Sequence, residues 1–110
     1  MDNDEQQQVY DAFYDRVNMQ PQELEDWLQT DASKSVGDSS DGEESTGHAS
    51  GRRIVKIKRK NKSELTTDDY EHMQKVVNYI KRHLSQRPDG EVKDCPWRYS
   101  LMNWGHDPLK

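Results

Sequence analysis

The stretch from Asp68 to Gln86, DDYEHMQKVVNYIKRHLSQ, decides the fold. Tyr70, Met73, Val77, Ile80 and Leu84 follow a 3-4-3-4 spacing with Val76 at its edge, the pattern of a helix with one buried side. Thr66, three residues before Asp69, approximates a capping box, with Asp reaching less far than the usual Glu, so the helix starts here. Arg87-Pro88-Asp89-Gly90 is a turn signal that stops it. The other side of the helix carries Lys75 and Arg82, with His72, Tyr79 and His83 beside them.

Immediately upstream lies Ser50 to Leu65, SGRRIVKIKRKNKSEL, with seven Lys or Arg residues between Arg52 and Lys62. Wound as a helix, it places Ile54, Ile57 and Leu65 on one stripe with Val55 at its margin. Arg52, Arg53, Lys56, Arg59 and Lys60 then fill an arc of about 120° on the other side. Lys58 and Lys62 fall near the apolar edge, where their stems lie along the core and their heads stay in water. Ser50 or Ser45 is available as a cap.

Towards the N-terminus, Glu5 to Asn18 reads as a first helix, with Val9, Phe13 and Val17 in one stripe and Tyr10 and Tyr14 at its shoulder. Tyrosines at this spacing belong to a core edge more often than to a stacking platform. Pro21 to Gln29 reads as a second helix: Pro21 suits its first position, Glu23, Glu25 and Asp26 suit its positive end, and Leu24, Trp27 and Leu28 share one face. Thr30 to Gly37 is an irregular exit or one more turn, anchored by Val36. Residues 38–47, DSSDGEESTG, lack any large apolar side chain and are expected to form a mobile, disordered acidic loop.

At the other end, Asp94 to Gly105 can form a short helix with Pro96 in its first turn and Trp97, Leu101 and Trp104 on one face. So much aromatic area implies a lid over the helical core. The expected fold is therefore all-α: one domain over residues 1–110, a small bundle of four main helices plus a short C-terminal one.

Composition narrows the function. The 110 residues are 30% hydrophobic and carry a net charge of −5, enough for one small core. No apolar run is long enough to span a bilayer, and the acidic start MDNDEQQQ is unlike a signal peptide, so a soluble, cytoplasmic protein with no membrane partner is expected. Cys95 is the sole cysteine, which excludes an intrachain disulfide and a thiolate zinc cage. His72 and His83 would stand roughly 16 Å apart along a helix, too far to share a metal. No metal site or cofactor is expected, and with no glycine-rich phosphate loop or nucleophile elbow, neither is an enzyme.

The charge is unevenly spread: residues 1–50 are net −11, residues 51–87 net +7 and residues 88–110 net −1. Salt screens exposed charges beyond about 8 Å, so a local basic island can attract phosphate on an anionic molecule. If His83 borders that island, its protonation near pH 6.5 would add charge there.

The blocks VNMQPQELEDWL (Val17 to Leu28), SKSVG (Ser33 to Gly37), GHASGRRIVKI (Gly47 to Ile57), LTTDDYEHMQKVVNYIKRHLSQRP (Leu65 to Pro88) and WRYSLMNWGHDPLK (Trp97 to Lys110) make the chain resemble the small family catalogued as domain of unknown function 3140. The resemblance covers nearly everything except the acidic loop. It implies no reaction, though some members carry the label of DNA-binding protein. The acidic, serine-rich insertion from Asp38 departs from the family's compact spacing.

The sequence thus points first to a non-enzymatic protein binding nucleic acid, double-stranded DNA foremost. Arg52, Arg53, Lys56, Arg59 and Lys60 would meet phosphates, with Lys81, Arg82 and Arg87 as neighbours. About five such contacts imply a log–log salt slope near −4 to −5. The alternative is an interaction or scaffold module whose basic helix pairs with an acidic protein partner or with the chain's own acidic N-terminal third.

Overall fold

A computed structural model describes residues 2–36 and 46–110. The order is α1 (Asn3–Arg16), α2 (Pro21–Leu28), α3 (Asp31–Lys34), α4 (Thr46–Lys58), a 3-10 turn (Lys62–Glu64), α5 (Thr67–Leu84) and α6 (Pro96–Asn103). There is no strand among the described residues, so the all-α expectation holds. None of these helices is long and apolar enough to cross a membrane. The stretch expected as an acidic loop lies outside the described residues from Asp38 to Ser45, and its last two residues, Thr46 and Gly47, open α4.

α5 begins as the sequence implies. Thr66 Oγ1 accepts from the Asp69 N–H at 3.1 Å, and an Asp69 carboxylate oxygen accepts from the Thr66 N–H at 3.0 Å, so the shorter side chain still closes the box. Its stripe is buried at Tyr70, Met73, Val76, Val77 and Ile80, whereas Leu84 is only partly buried, at the core's edge. α1 lies along α5 and supplies Val9 and Phe13. α2 lies along α4, and Leu24, Leu28, Ile54 and Ile57 fill the space between them. α3 is the extra turn after α2, capped by Thr30, whose Oγ1 accepts from the Ser33 N–H.

The terminal segment is a lid, as expected. Trp97, Leu101 and Trp104 are buried, and Gly105, at φ +83°, turns the chain away from α6. A Cβ there would also stand 2.8 Å from a methyl of Val17. The tail is then tied to the end of α1. His106 Nδ1–H donates to the Arg16 carbonyl at 2.6 Å, Asn18 and Asp107 exchange two hydrogen bonds, and Arg98 grips the Asp107 carboxylate at 3.0 and 3.2 Å. Buried Asn103 joins α6 to α2 and α3. Its Oδ1 accepts from Trp27 Nε1 (2.8 Å) and Ser33 Oγ (2.5 Å), and its NH2 group donates to the Ser33 carbonyl (3.0 Å).

Between α5 and the lid stands a column of nearly parallel rings: His72, Trp104, Tyr79, His83 and Trp97. Neighbouring planes are within 15° and centroids 6.4, 4.1, 5.2 and 6.0 Å apart in that order. Both histidines are half-buried and stack on neighbouring rings. Burial lowers the pKa of both, that of His72 to about 4 with Arg53 and Lys75 adding to the effect. For His83, burial works against the protonation that would add charge to the basic island.

Candidate nucleic-acid interface

α4 is amphipathic as expected and runs from Thr46 to Lys58, starting where the Ser45 alternative for the cap would place it and ending four to seven residues short of the expected Lys62 to Leu65. Two glycines lie inside it, each where a neighbour leaves no room for a side chain. A Cβ on Gly51 would stand 2.4 Å from the Asn103 carbonyl oxygen, and one on Gly47 3.0 Å from Trp104 Nε1. Ser50, one of the two serines offered as a cap, is a buried mid-helix residue whose hydroxyl pairs with His72 Nε2 at 2.9 Å. The helix stops after Lys58 because Asn61 opens a new capped turn, in which Glu64 accepts from the Asn61 N–H at 2.9 Å. Lys60 therefore lies beyond the helix, and Leu65 packs from a loop instead of extending the helical stripe.

Ile54, Val55 and Ile57 anchor α4 in the core. Arg52 and Lys56 stand exposed on one edge, beside a cleft of about 420 Å3 between α2 and α4 that Lys34, His48 and Glu25 also line. Arg59 continues this edge at the i+7 position from Arg52 and pairs with Glu25 at 2.7 Å, both side chains being nearly half exposed. Such a surface pair contributes little, about 0.2–1 kcal/mol, and exchanges readily for another anion.

The other candidates diverge. Lys60 and Arg53 turn to the opposite side and share Asp69, at 2.7 and 3.6 Å, whose side chain is only 7% exposed. Burial by itself would raise the pKa of Asp69. The hydrogen bonds from Lys60 and Thr66 outweigh it and hold the carboxyl below its usual range. Lys81 lies on a cleft between α1 and α5 with Glu5, Arg82 lines a separate cleft between α5 and α6, and the Arg87 guanidinium covers the Trp97 ring at 5.7 Å. Of the eight cations read from the sequence, three share one edge.

Lys34, which the sequence did not single out, joins them because α3, packed on α2 and α6, brings it to the same cleft. Nothing in its local spacing announces this. Lys58 and Lys62 do not simply hold their heads in water. Lys58 Nζ donates to the Met19 and Val17 carbonyls at 2.8 and 3.3 Å, satisfying the chain just past α1, and burial lowers its pKa. Lys62 bonds Gln7 and lies over the Tyr10 ring at 4.8 Å, while Lys58 lies 5.6 Å from that of Tyr14. The two tyrosines, read as core edge, pack on each other and carry these cations. Among the described residues no three His, Cys, Asp or Glu side chains converge as metal ligands.

No curated protein and no solved structure matches the chain. The family model described as "Protein of unknown function (DUF3140)" matches residues 12–102, from the middle of α1 to the end of α6. The chain therefore belongs to that family of unknown function.

Proposed function

We propose that this protein is a non-enzymatic, cytoplasmic nucleic-acid-binding protein that meets the phosphates of a duplex along the outer edge of α4. The observation that carries this reading is the exposure of Arg52 and Lys56 on α4 and of Arg59 in the turn just after it, at i, i+4 and i+7, with the opposite side of the helix fixed in the core. They span about 10 Å of helix axis, with Lys34 across the cleft. A duplex strand presents a phosphate about every 3.4 Å along its axis, so three or four contacts fit. Arg59 leaves Glu25 for a phosphate at small cost, whereas Arg53 and Lys60 stay with Asp69. The salt dependence is accordingly shallower than five contacts would give, with a log–log slope of about −3. Such contacts confer affinity without reading bases.

Titration of a labelled duplex at several salt concentrations tests this. Arg52→Glu with Lys56→Glu is expected to weaken binding more than about tenfold and to flatten the slope by about 2, while Lys81→Glu leaves both unchanged. A salt-independent affinity, or an equal loss from Lys81→Glu, refutes the interface. The Glu25–Arg59 pair favours a second reading, in which an acidic protein partner takes the place of Glu25. Binding to polyglutamate without binding to duplex at low salt would select it.

A further inference from the structure

His83, in the last turn of α5, holds one ring nitrogen where water does not reach. Its Nε2 is fully buried and has no hydrogen-bond partner, whereas Nδ1 is not enclosed in this way. Native proteins seldom leave a buried polar atom unmatched. A neutral imidazole tolerates the position by carrying its hydrogen on Nδ1 and presenting only a lone pair at Nε2. Protonation adds an N–H at that buried atom, and nothing there accepts it.

Trp97 keeps the imidazole in place. The two rings are 14° from parallel with centroids 6.0 Å apart, Tyr79 stacks on the same imidazole at 5.2 Å, and Trp97 Nε1–H donates to the His83 carbonyl at 2.7 Å. The Arg87 guanidinium already lies over the Trp97 ring at 5.7 Å, so an imidazolium would bring a second cation to one indole. No opposite charge compensates. On α5, Lys81 and Arg82 are exposed, and Glu5 of α1 shares a cleft with Lys81, roughly 200° round the helix from His83. Asp89, Glu91, Lys93 and Asp94, in the connection to α6, are exposed, and Arg98 on α6 is paired with Asp107. Among the described residues no carboxylate pairs with His83.

The connection between α5 and α6 lets this contact open without disturbing the rest of the lid. Residues 85–95 are exposed apart from half-buried Cys95 and buried Val92, and Gly90, at φ +89°, has nothing within 4 Å of an added Cβ. The remainder of α6 is tied elsewhere, Asn103 to Trp27 and Ser33 and Arg98 to Asp107. When the indole leaves, the His83 carbonyl still accepts from the Gln86 N–H at 3.1 Å.

We propose that His83 and Trp97 form an acid-released latch: on taking up a proton, His83 expels the Trp97 indole, which lifts from α5 with the 86–95 connection while the remainder of the lid stays docked. Burial lowers the pKa of His83 from its ordinary 6.5, which has the matching sign, because the open form then binds the proton more tightly than the closed one. The ratio of open to closed molecules therefore rises as pH falls below 6.5, by up to about tenfold per pH unit for one proton, and levels off below the closed-state pKa. His72, whose ring meets Trp104 and whose Nε2 pairs with Ser50, lies outside the latch. The device is independent of the duplex-binding reading and uses none of its residues.

The test follows the indole N–H resonances of the 15N-labelled protein, together with the imidazole resonances of His83, from about pH 8 down to about pH 4.5. The Trp97 resonance is expected to move from its hydrogen-bonded position to that of a free indole as His83 titrates, while Trp27, bonded to Asn103, keeps its place. His83→Gln, neutral at every pH, is expected to hold Trp97 closed throughout, and His72→Gln to leave the Trp97 transition where it was. A Trp97 resonance that stays still while His83 takes up its proton overturns the latch, as does a transition that survives in His83→Gln. Trp97 and Trp27 moving together also overturn it, because the whole lid then leaves at once.

Discussion

Replacing Gly51 by Ala sets two effects of opposite sign against each other. Helix propensity favours the change by about 0.8–1 kcal/mol, since Gly51 lies in the interior of α4. Packing opposes it. The added methyl would stand 2.4 Å from the Asn103 carbonyl oxygen and 2.8 and 3.1 Å from the two methyls of Leu28. Leu28 can shift its side chain, but the carbonyl retreats only if the end of α6 moves by about 1 Å, towards the limits of what a packed core tolerates. Asn103 resists that movement through its three hydrogen bonds to Trp27 and Ser33. Overpacking of this kind costs about 1–3 kcal/mol, and a pinned backbone places it near the upper end, so the net loss is about 1–2 kcal/mol. In a urea titration the midpoint should fall with little change in slope, and in a thermal melt the midpoint should drop by about 4–8 °C. Ala49→Gly, at an exposed position of the same helix, should also destabilise, by about 1 kcal/mol. Adding a methyl at one site and removing one two residues away would then have the same sign. A Gly51→Ala variant more stable than the parent would refute the close crossing of α4 and α6.

Asn103→Ala removes a buried side chain with three hydrogen bonds and strands the Trp27 and Ser33 donors, so a loss of about 3–4 kcal/mol in urea unfolding is expected. His72 binds its proton more weakly when folded, with a pKa of about 4 against 6.5. Its contribution to stability is therefore complete above pH 6.5, declines as pH falls from 6.5 to 4 and is level below that. The ceiling is about 3 kcal/mol, reduced to about half because the ring borders solvent, and His72→Gln should remove this part of the pH profile. Asp69 has the ordinary sign for a carboxylate whose folded pKa is depressed: its stabilisation is present above pH 3.8 and is lost as pH falls through the lower folded value. Asp69→Asn should remove that acid limb, lower stability at pH 7 by about 1–3 kcal/mol and, by releasing Arg53 and Lys60, tighten duplex binding and steepen its salt slope towards −5.

What could be read from the sequence was local. The stripe of α5, the Thr66–Asp69 box, Pro21 and Pro96 in the first turns of α2 and α6, and the turn of Gly105 each depend on residues within about four positions of one another. The start of α4 was left open between two serine caps, because glycine is a poor helix former and its value at positions 47 and 51 lies in what stands opposite, at the end of α6. The candidate interface was visible only in outline. A helical wheel finds the polar side of α4 but is blind to Asp69, which takes two of its cations, and to Lys34, which α3 adds. Likewise, the histidines of α5 looked ordinary until Trp97 and Trp104 were placed against them.

That column of rings makes the protein its own optical probe. Parallel chromophores at 4–6 Å couple their electronic transitions, and Tyr79 with Trp104, at 4.1 Å, should dominate the near-ultraviolet dichroism. Undocking the terminal lid would extinguish that band while the far-ultraviolet helical signal persists, so separation of α6 from α5 can be timed without attaching any label.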